Sequence, residues 1–236
     1  MAAKSINCLL TGFDAFGEHQ TNCTQALVEA FPDILKTKPV AGSAASREVH
    51  ITKLLLPTAG KRGWNRLRKA LDVLSQTGPA LVIMNGLAAK RTALSLERFA
   101  MNLKDYRIAD NDGHQPQDCP IDKKAPDLLR TLLDLPTIKA GLTRAGFSCD
   151  ISNHAGTYIC NELYFRAQQY QEDQKSIKAV LFVHWPEPQD FIKGAAASKK
   201  KNLARQATLA MRNKGAQLKI MEQALVEIVE RAALVL

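Results

Sequence analysis

The sequence predicts an α/β fold: a single domain built on a mostly parallel twisted sheet with helices on both faces. Three observations predict it. Short apolar, β-prone runs alternate with longer helical patterns, the arrangement that lays helices over a parallel sheet. The 236 residues, 46% hydrophobic and 23% charged, are enough for one large core. No internal repeat or low-complexity linker marks a second domain, so residues 1–236 read as one unit.

Residues 6–10 read as the first strand, followed by the loop "TGFDAFGEHQTNCT" and a helix at 25–31. A second strand is expected at 48–56. An amphipathic helix at 59–75 is stopped by Thr77-Gly78-Pro79, and 80–85 reads as a buried strand. The stretch 97–118 alternates at first like a strand pair and continues as a long polar loop, a feature more often functional than idle in a compact domain. Helices are expected at 125–133 and 137–145, the latter closed by Gly146. Strands follow at 149–152 and 179–184, with helices at 157–171 and 218–235.

Composition narrows the function classes. The apolar run Cys8-Leu9-Leu10 is too short for a signal peptide and 80–84 too short to cross a bilayer, so a soluble, cytoplasmic protein is expected, with no membrane partner. The five cysteines, at 8, 23, 119, 149 and 160, are odd in number and scattered, without zinc spacing. They read as reduced thiols, and neither metal nor cofactor is expected. The formal charge of +9 raises the question of nucleic acid, but its excess is concentrated. Lys193, Lys199, Lys200, Lys201, Arg205, Arg212, Lys214 and Lys219 stand between 191 and 221 with no Asp or Glu. Without aromatic residues to stack bases, this reads as a solvated basic flap rather than a nucleic-acid surface.

Cys160, in "HAGTYICNELYF", is the first candidate for chemistry. With Thr157 as N-cap it would occupy the third helical position, where free amides and the helix dipole favour a thiolate. A packed structural cysteine is an equal reading of that local pattern. His184 stands at the end of the run "AVLFVHW", immediately before Trp185-Pro186, and is placed at the carboxyl edge of the sheet, the edge where ligands bind, with Cys160 following the preceding strand at that edge. Glu97, in "LSLERFAMN", could orient the imidazole; taken alone, a surface pair with Arg98 is the simpler reading.

At these residues the sequence resembles the pyroglutamyl-peptidase I family, from about residue 9 to 188 and more weakly in the final helix. The family's TGFxPFG appears as "TGFDAFG", and ERVAxN with its ARIPDNxGxQP loop as "ERFAMN" and "YRIADNDGHQP". TAGTYVCN appears as "HAGTYICN", and FIHxP as "FVHWP". The resemblance implies a metal-free cysteine exopeptidase acting on N-terminal pyroglutamyl peptides. Cys160 would be the nucleophile, His184 the base and acid, and Glu97 the orienting carboxylate. Arg91 would lie near the oxyanion region, and Phe13, Phe16, Ile108, Tyr158 and Ile159 would line the lactam pocket, with Asn22 matching the Asn of an NPS motif. A homo-oligomer, dimer or tetramer, is also implied.

The departures are specific. In "LAAKR", Ala89 and Lys90 stand where the family often has glycine, which questions any geometry needing positive φ. Ala15, Cys23 and Ala109 replace prolines, which should loosen the loops. The segment at about 193–215 reads as a basic insertion, a flap over the pocket mouth adding little to the core. Two other functions stand beside the peptidase: another cysteine amidase or acyltransferase on the same scaffold, and an inactive basic binding module.

Overall fold

A computed structural model describes residues 5–17, 21–37 and 46–234. Seven strands form one sheet in the order β2-β3-β1-β4-β9-β5-β8. These are β1 Ile6–Phe13, β2 Ile34–Lys36, β3 Glu48–Leu56, β4 Ala80–Leu87, β5 Leu94–Glu97, β8 Cys149–Ser152 and β9 Ile177–Trp185. The central strands β3, β1, β4 and β9 are mutually parallel, as expected of strands buried on both faces. β5 pairs antiparallel with β9, and β8 is parallel to β5, so the last two strands run against the centre.

Alternation along the strands divides the core in two. Leu81, Ile83, Leu181 and Val183 face a layer shared with the helices α1 Cys23–Ala30, α3 Leu135–Ala145, α5 Pro188–Ala196, α6 Lys201–Ala210 and α7 Lys214–Ala233. Val82, Met84, Val180 and Phe182 face the other layer, covered by α2 Gly60–Leu74 and α4 Ile159–Asp173. Helices on both faces and a mostly parallel sheet agree with the sequence reading. Gly146 closes α3 at φ 101°, the left-handed geometry that glycine adopts without strain.

Three expectations are corrected. Residues 125–133 are not helical: β7 Leu128–Arg130 pairs antiparallel with β6 Phe99–Met101. Leu129, Thr131, Leu133 and Leu135 are buried while Leu128, Arg130, Leu132 and Asp134 are exposed. That period of two is a strand pattern, which the leucine-rich composition disguises as helical.

The route to Cys160 also differs. β8 runs opposite to β9, so the chain does not leave it at the carboxyl edge of the central strands. α4 runs back along β9 instead, with Gln171 Nε2 donating to Lys178 O at 3.4 Å near the start of that strand. Its own N-terminus therefore reaches the edge. Strand polarity is a tertiary choice that apolar alternation does not encode.

The basic segment is helical and built into the core. Phe191, Ile192 and Ala195 of α5 and Leu203, Ala207 and Ala210 of α6 are buried. Phe191 stacks on Phe147 at 5.9 Å and meets Trp185 edge-on at 5.4 Å. These helices pack on the face opposite α4, so they do not form a flap above Cys160. Small alanines at helical spacing read as a lack of anchors but allow close packing.

Candidate active site

Glu97 and His184 face the same layer because of strand register. In the antiparallel β5–β9 pair, Ser95 opposes His184 and Glu97 opposes Phe182, so Glu97 and His184 are diagonal neighbours within side-chain reach. Glu97 Oε1 lies 2.7 Å from His184 Nδ1. The same oxygen accepts a 2.6 Å hydrogen bond from Arg91 Nη1, and Arg91 Nη2 reaches Ser152 Oγ at 3.5 Å. Glu97 is fully buried and makes no surface pair with Arg98, whose Nη1 donates to Asn153 Oδ1 at 2.7 Å. Tyr164 Oη fixes the Glu97 backbone by donating to its carbonyl at 2.9 Å.

Cys160 arrives from above this strand pair. Gly86 is the β4 partner of His184, and a Cβ on Gly86 would lie 3.0 Å from Cys160 Sγ and 2.7 Å from the Phe182 ring. Phe182 in turn packs on the His184 imidazole, centroid to centroid 4.7 Å. Glycine at 86 is thus required by close approach, and it seats the sulfur beside the histidine strand. Among the described residues no hydrogen bond joins Sγ to the imidazole; such contacts commonly tighten only when substrate binds.

The helix start departs from expectation. Tyr158, not Thr157, is the N-cap of α4, and no side-chain cap is made. Thr157 Oγ1 donates instead to Asp105 O at 2.7 Å. Cys160 is therefore the second helical residue, beside first-turn amides that no side chain occupies.

Burial dominates the electrostatics. It pushes the Cys160 thiol up to about 12, with Glu97 adding to the rise, while the backbone amide and Arg91 act the other way. Protein atoms surround the sulfur closely even though the residue keeps some accessible surface. Desolvation thus outweighs the favourable amide and works against the thiolate that the helix start alone favours. Burial also holds His184 below the usual histidine range, and the Glu97 hydrogen bond only partly offsets it. For Glu97, burial raises the pKa, but the His184 hydrogen bond and charge, with Ser152 and Arg91, bring it below the ordinary value. An ionised Glu97 can only accept, so Nδ1 carries the imidazole proton and Nε2 keeps a free lone pair.

The implied pocket residues fall into two groups. Phe16, Tyr158 and Ile108 cluster: Phe16 and Tyr158 are 6.3 Å apart, and Ile108 Cδ1 lies 3.5 Å from where a Gly17 Cβ would stand. Tyr158 Oη donates to Ala109 O at 3.0 Å. Phe13 and Ile159 are core residues beneath them, Phe13 lying 6.2 Å from Phe182. Asn22 serves as N-cap of α1: Oδ1 accepts from Thr24 N and Oγ1, and Nδ2 donates to Asp14 O. The "LAAKR" turn closes through Arg91 N to Ala88 O at 2.8 Å. Asp118 is the one non-glycine residue with positive φ among those described, so Ala89 and Lys90 carry no such strain.

Sequence reasoning passed over several supports. Asn161 holds the strand after Glu97, accepting from Met101 N and donating to Met101 O and Leu103 O. Asn85 Oδ1 accepts from Trp185 Nε1 at 2.9 Å. Asp110 receives the amides of Gly60, Asp112 and His114. Asn161, directly after the cysteine, and Asp110, in the YRIADN loop, carried a signal through their places in the motifs; Asn85 carried none. Among the described residues no three His, Cys, Asp or Glu could hold a metal, and no helix is long and apolar enough to cross a membrane.

Comparison with known proteins places the chain among pyroglutamyl peptidases. The pyrrolidone-carboxylate peptidase of Vibrio campbellii is 35% identical over 178 residues, 75% of this chain and 77% of its own. Pyrrolidone-carboxylate peptidase 1 of Caldanaerobacter subterraneus is 32% identical over 181 residues, 77% of this chain and 82% of its own. The solved pyrrolidone carboxyl peptidase of Thermococcus litoralis superposes with a TM-score of 0.76 at 25% identity, over 96% of this chain and 93% of that one. Fold and relatives together define a hydrolase, a cysteine peptidase. The pyroglutamyl peptidase family model matches residues 6–221, and the chain belongs to that family.

Proposed function

We propose that the protein removes N-terminal pyroglutamate from peptides, with Cys160 as nucleophile, His184 as base and then acid, and Glu97 as orienting carboxylate. One observation carries this reading: Glu97 Oε1 stands 2.7 Å from His184 Nδ1 on the strand whose partner residue, Gly86, lies under the Cys160 sulfur.

As Sγ attacks the pyroglutamyl carbonyl, its proton passes to His184 Nε2, so the resting thiol becomes a thiolate only as the bond forms. First-turn amides of α4 receive the oxyanion. The C–N bond then breaks as the imidazolium protonates the departing amine, leaving a thioester. Water, deprotonated by His184, attacks the thioester; pyroglutamate departs and the thiol recovers its proton. Glu97 stabilises the imidazolium in both halves. Phe16, Ile108 and Tyr158 would flank the flat lactam, with Phe13 and Ile159 behind them, Arg91 steadying Glu97, and Asn22 supporting the entry loop through its cap. The same reading makes the protein a cytoplasmic homo-oligomer, which sedimentation would check.

The test is fluorophore release from a pyroglutamyl amide, with a prolyl amide as control. A site that hydrogen-bonds the lactam carbonyl should reject proline by about 10⁴-fold. Equal turnover of both amides, or full activity in Cys160→Ala, would reject the proposal.

A further inference from the structure

The proposed chemistry leaves unused a buried polar cluster around Glu162 on this layer. Glu162 is one of the few buried carboxylates outside the Glu97 group, and its two oxygens have separate partners. Oε1 receives Arg166 Nε and Nη2, both at 2.9 Å. Oε2 receives the hydroxyl of the buried Tyr106 in a short hydrogen bond. Arg166 lies over the Trp64 ring, 5.7 Å from its centroid. Gly60, one helical turn before Trp64, leaves the room: a Cβ there would be 2.9 Å from Glu162 Oε2 and 3.1 Å from Tyr106 Oη. The cluster thus ties α2 and α4 to the loop that follows β6.

The other side of Tyr106 faces the proposed pocket. Its ring meets Tyr158 edge-on at 4.8 Å, and Tyr158 is the N-cap of α4, two residues before Cys160. The backbone of Tyr106 is equally committed, its amide donating to Pro116 O and its carbonyl accepting from Gln115 Nε2. The ring is held at both ends: its edge supports Tyr158, and its hydroxyl is anchored on a carboxylate that Arg166 fixes in turn.

We propose that Tyr106 is a positioning residue for substrate binding: anchored on Glu162, it holds Tyr158 in the orientation that closes the lactam pocket. The inference rests on the reading of Tyr158 as a wall of that pocket. Removing the hydroxyl would leave Glu162 Oε2 buried and unpaired and let both rings shift, whereas Cys160, His184 and Glu97 would stay in place.

The experiment compares Tyr106→Phe, Glu162→Gln and the wild type. Three quantities are measured: kcat and KM on the pyroglutamyl amide, thermal stability, and protection of Cys160 from iodoacetamide by 2-pyrrolidone, a bare lactam ring. The loss of one such hydrogen bond should raise KM and the protecting concentration about 5- to 10-fold in Tyr106→Phe, with kcat within about twofold. Glu162→Gln, whose carbonyl can keep the Arg166 contact while its amide N–H donates to the Tyr106 hydroxyl oxygen, should raise KM less than Tyr106→Phe does. A Tyr106→Phe protein that is less stable but unchanged in KM and protection would overturn the proposal, leaving Tyr106 a structural residue. So would wild-type Cys160 unprotected by 2-pyrrolidone. If the wild type fails to cleave the amide, the peptidase reading falls, while the protection assay still decides whether Tyr106 shapes a lactam site.

Discussion

The sulfur of Cys160 lies 3.0 Å from the point at which a side chain on Gly86 would begin. Gly86 is the strand partner of His184, so the absence of a methyl group there leaves room for the Cys160 sulfur beside the histidine strand. Cys160 lies on α4 and His184 on β9, and the glycine between them stands on a third element, β4.

Gly86→Ala is therefore expected to impair chemistry more than folding. The new Cβ would press on Phe182 as well as on Sγ, and overpacking of this kind typically costs about 1–3 kcal/mol. A sulfur displaced by about 1 Å should lower kcat about 100-fold. Steady-state kinetics beside a thermal melt separate the effects; wild-type kcat in a folded Gly86→Ala protein would contradict this placement of Cys160.

The three proposed catalytic residues should differ in what their loss costs. Cys160→Ala and His184→Ala remove the nucleophile and the base, and each is expected to lower kcat by about 10³-fold or more. Glu97→Gln keeps a group that can hydrogen-bond Nδ1 but loses the charge opposite the imidazolium, so a smaller, measurable residue of activity should remain. Combining His184→Ala with Glu97→Gln should add little to the loss in His184→Ala alone.

The pH profile follows from the shifts. In the proposed mechanism His184 is the neutral base, and it is held below the usual 6.5, so kcat/KM should rise through an acid limb lying below that value. Arg91 is one of the charges that depress His184, so Arg91→Gln should move the limb toward higher pH. An unmoved limb would detach Arg91 from the site.

Stability should follow the same linkage. The folded pKa of His184 is below its unfolded value, so the unfolded chain takes up the proton first. The contribution is fully present above 6.5 and is lost as pH falls toward the folded pKa. The Cys160 thiol, pushed from 9.0 up to about 12, gives the opposite limb: its contribution is complete below pH 9 and fades as pH rises toward 12. Thermal melts of wild type and Cys160→Ala across pH 8 to 11 would reveal it as a narrowing difference.

The basic helices offer a contrast between surface and core. Lys199, Lys200 and Lys201 are exposed, so replacing all three by serine should change stability by less than about 1 kcal/mol. It should also leave the preference between acidic and basic pyroglutamyl peptides unaltered, since α6 packs on the far face of the sheet. Leu203→Ala removes a buried side chain and should destabilise by about 2–4 kcal/mol. A shifted acidic-to-basic ratio in the lysine variant would restore a steering role for these charges.

Much of this could be read from residue order alone, because it depends on local periodicity and short motifs. The strand Glu48–Leu56, the strand Cys149–Ser152 and the helix stop at Gly146 follow from alternation and backbone preference within a few residues. Cys160, His184 and Glu97 were legible as candidates because each sits in a dense motif. What local pattern failed to reveal involved partners distant along the chain. The strand at Leu128–Arg130 needed Phe99–Met101 to pair with, and the alanine-rich helices needed Phe147 and Trp185 to pack against.

The sequence by itself determined the α/β class, the alternation of buried strands and amphipathic helices, and which residues could carry nucleophile, base and carboxylate. Only the tertiary structure decided that β5 and β8 run against the central strands, placing Glu97 diagonal to His184. It also decided that Gly86 is the seat of the sulfur, and that burial pushes the Cys160 thiol up where the helix start alone favoured a thiolate. The physical reason is range. Backbone preference and hydrophobic period act over a few residues, whereas strand polarity, close approach and desolvation are set by atoms the fold brings together from positions tens of residues apart.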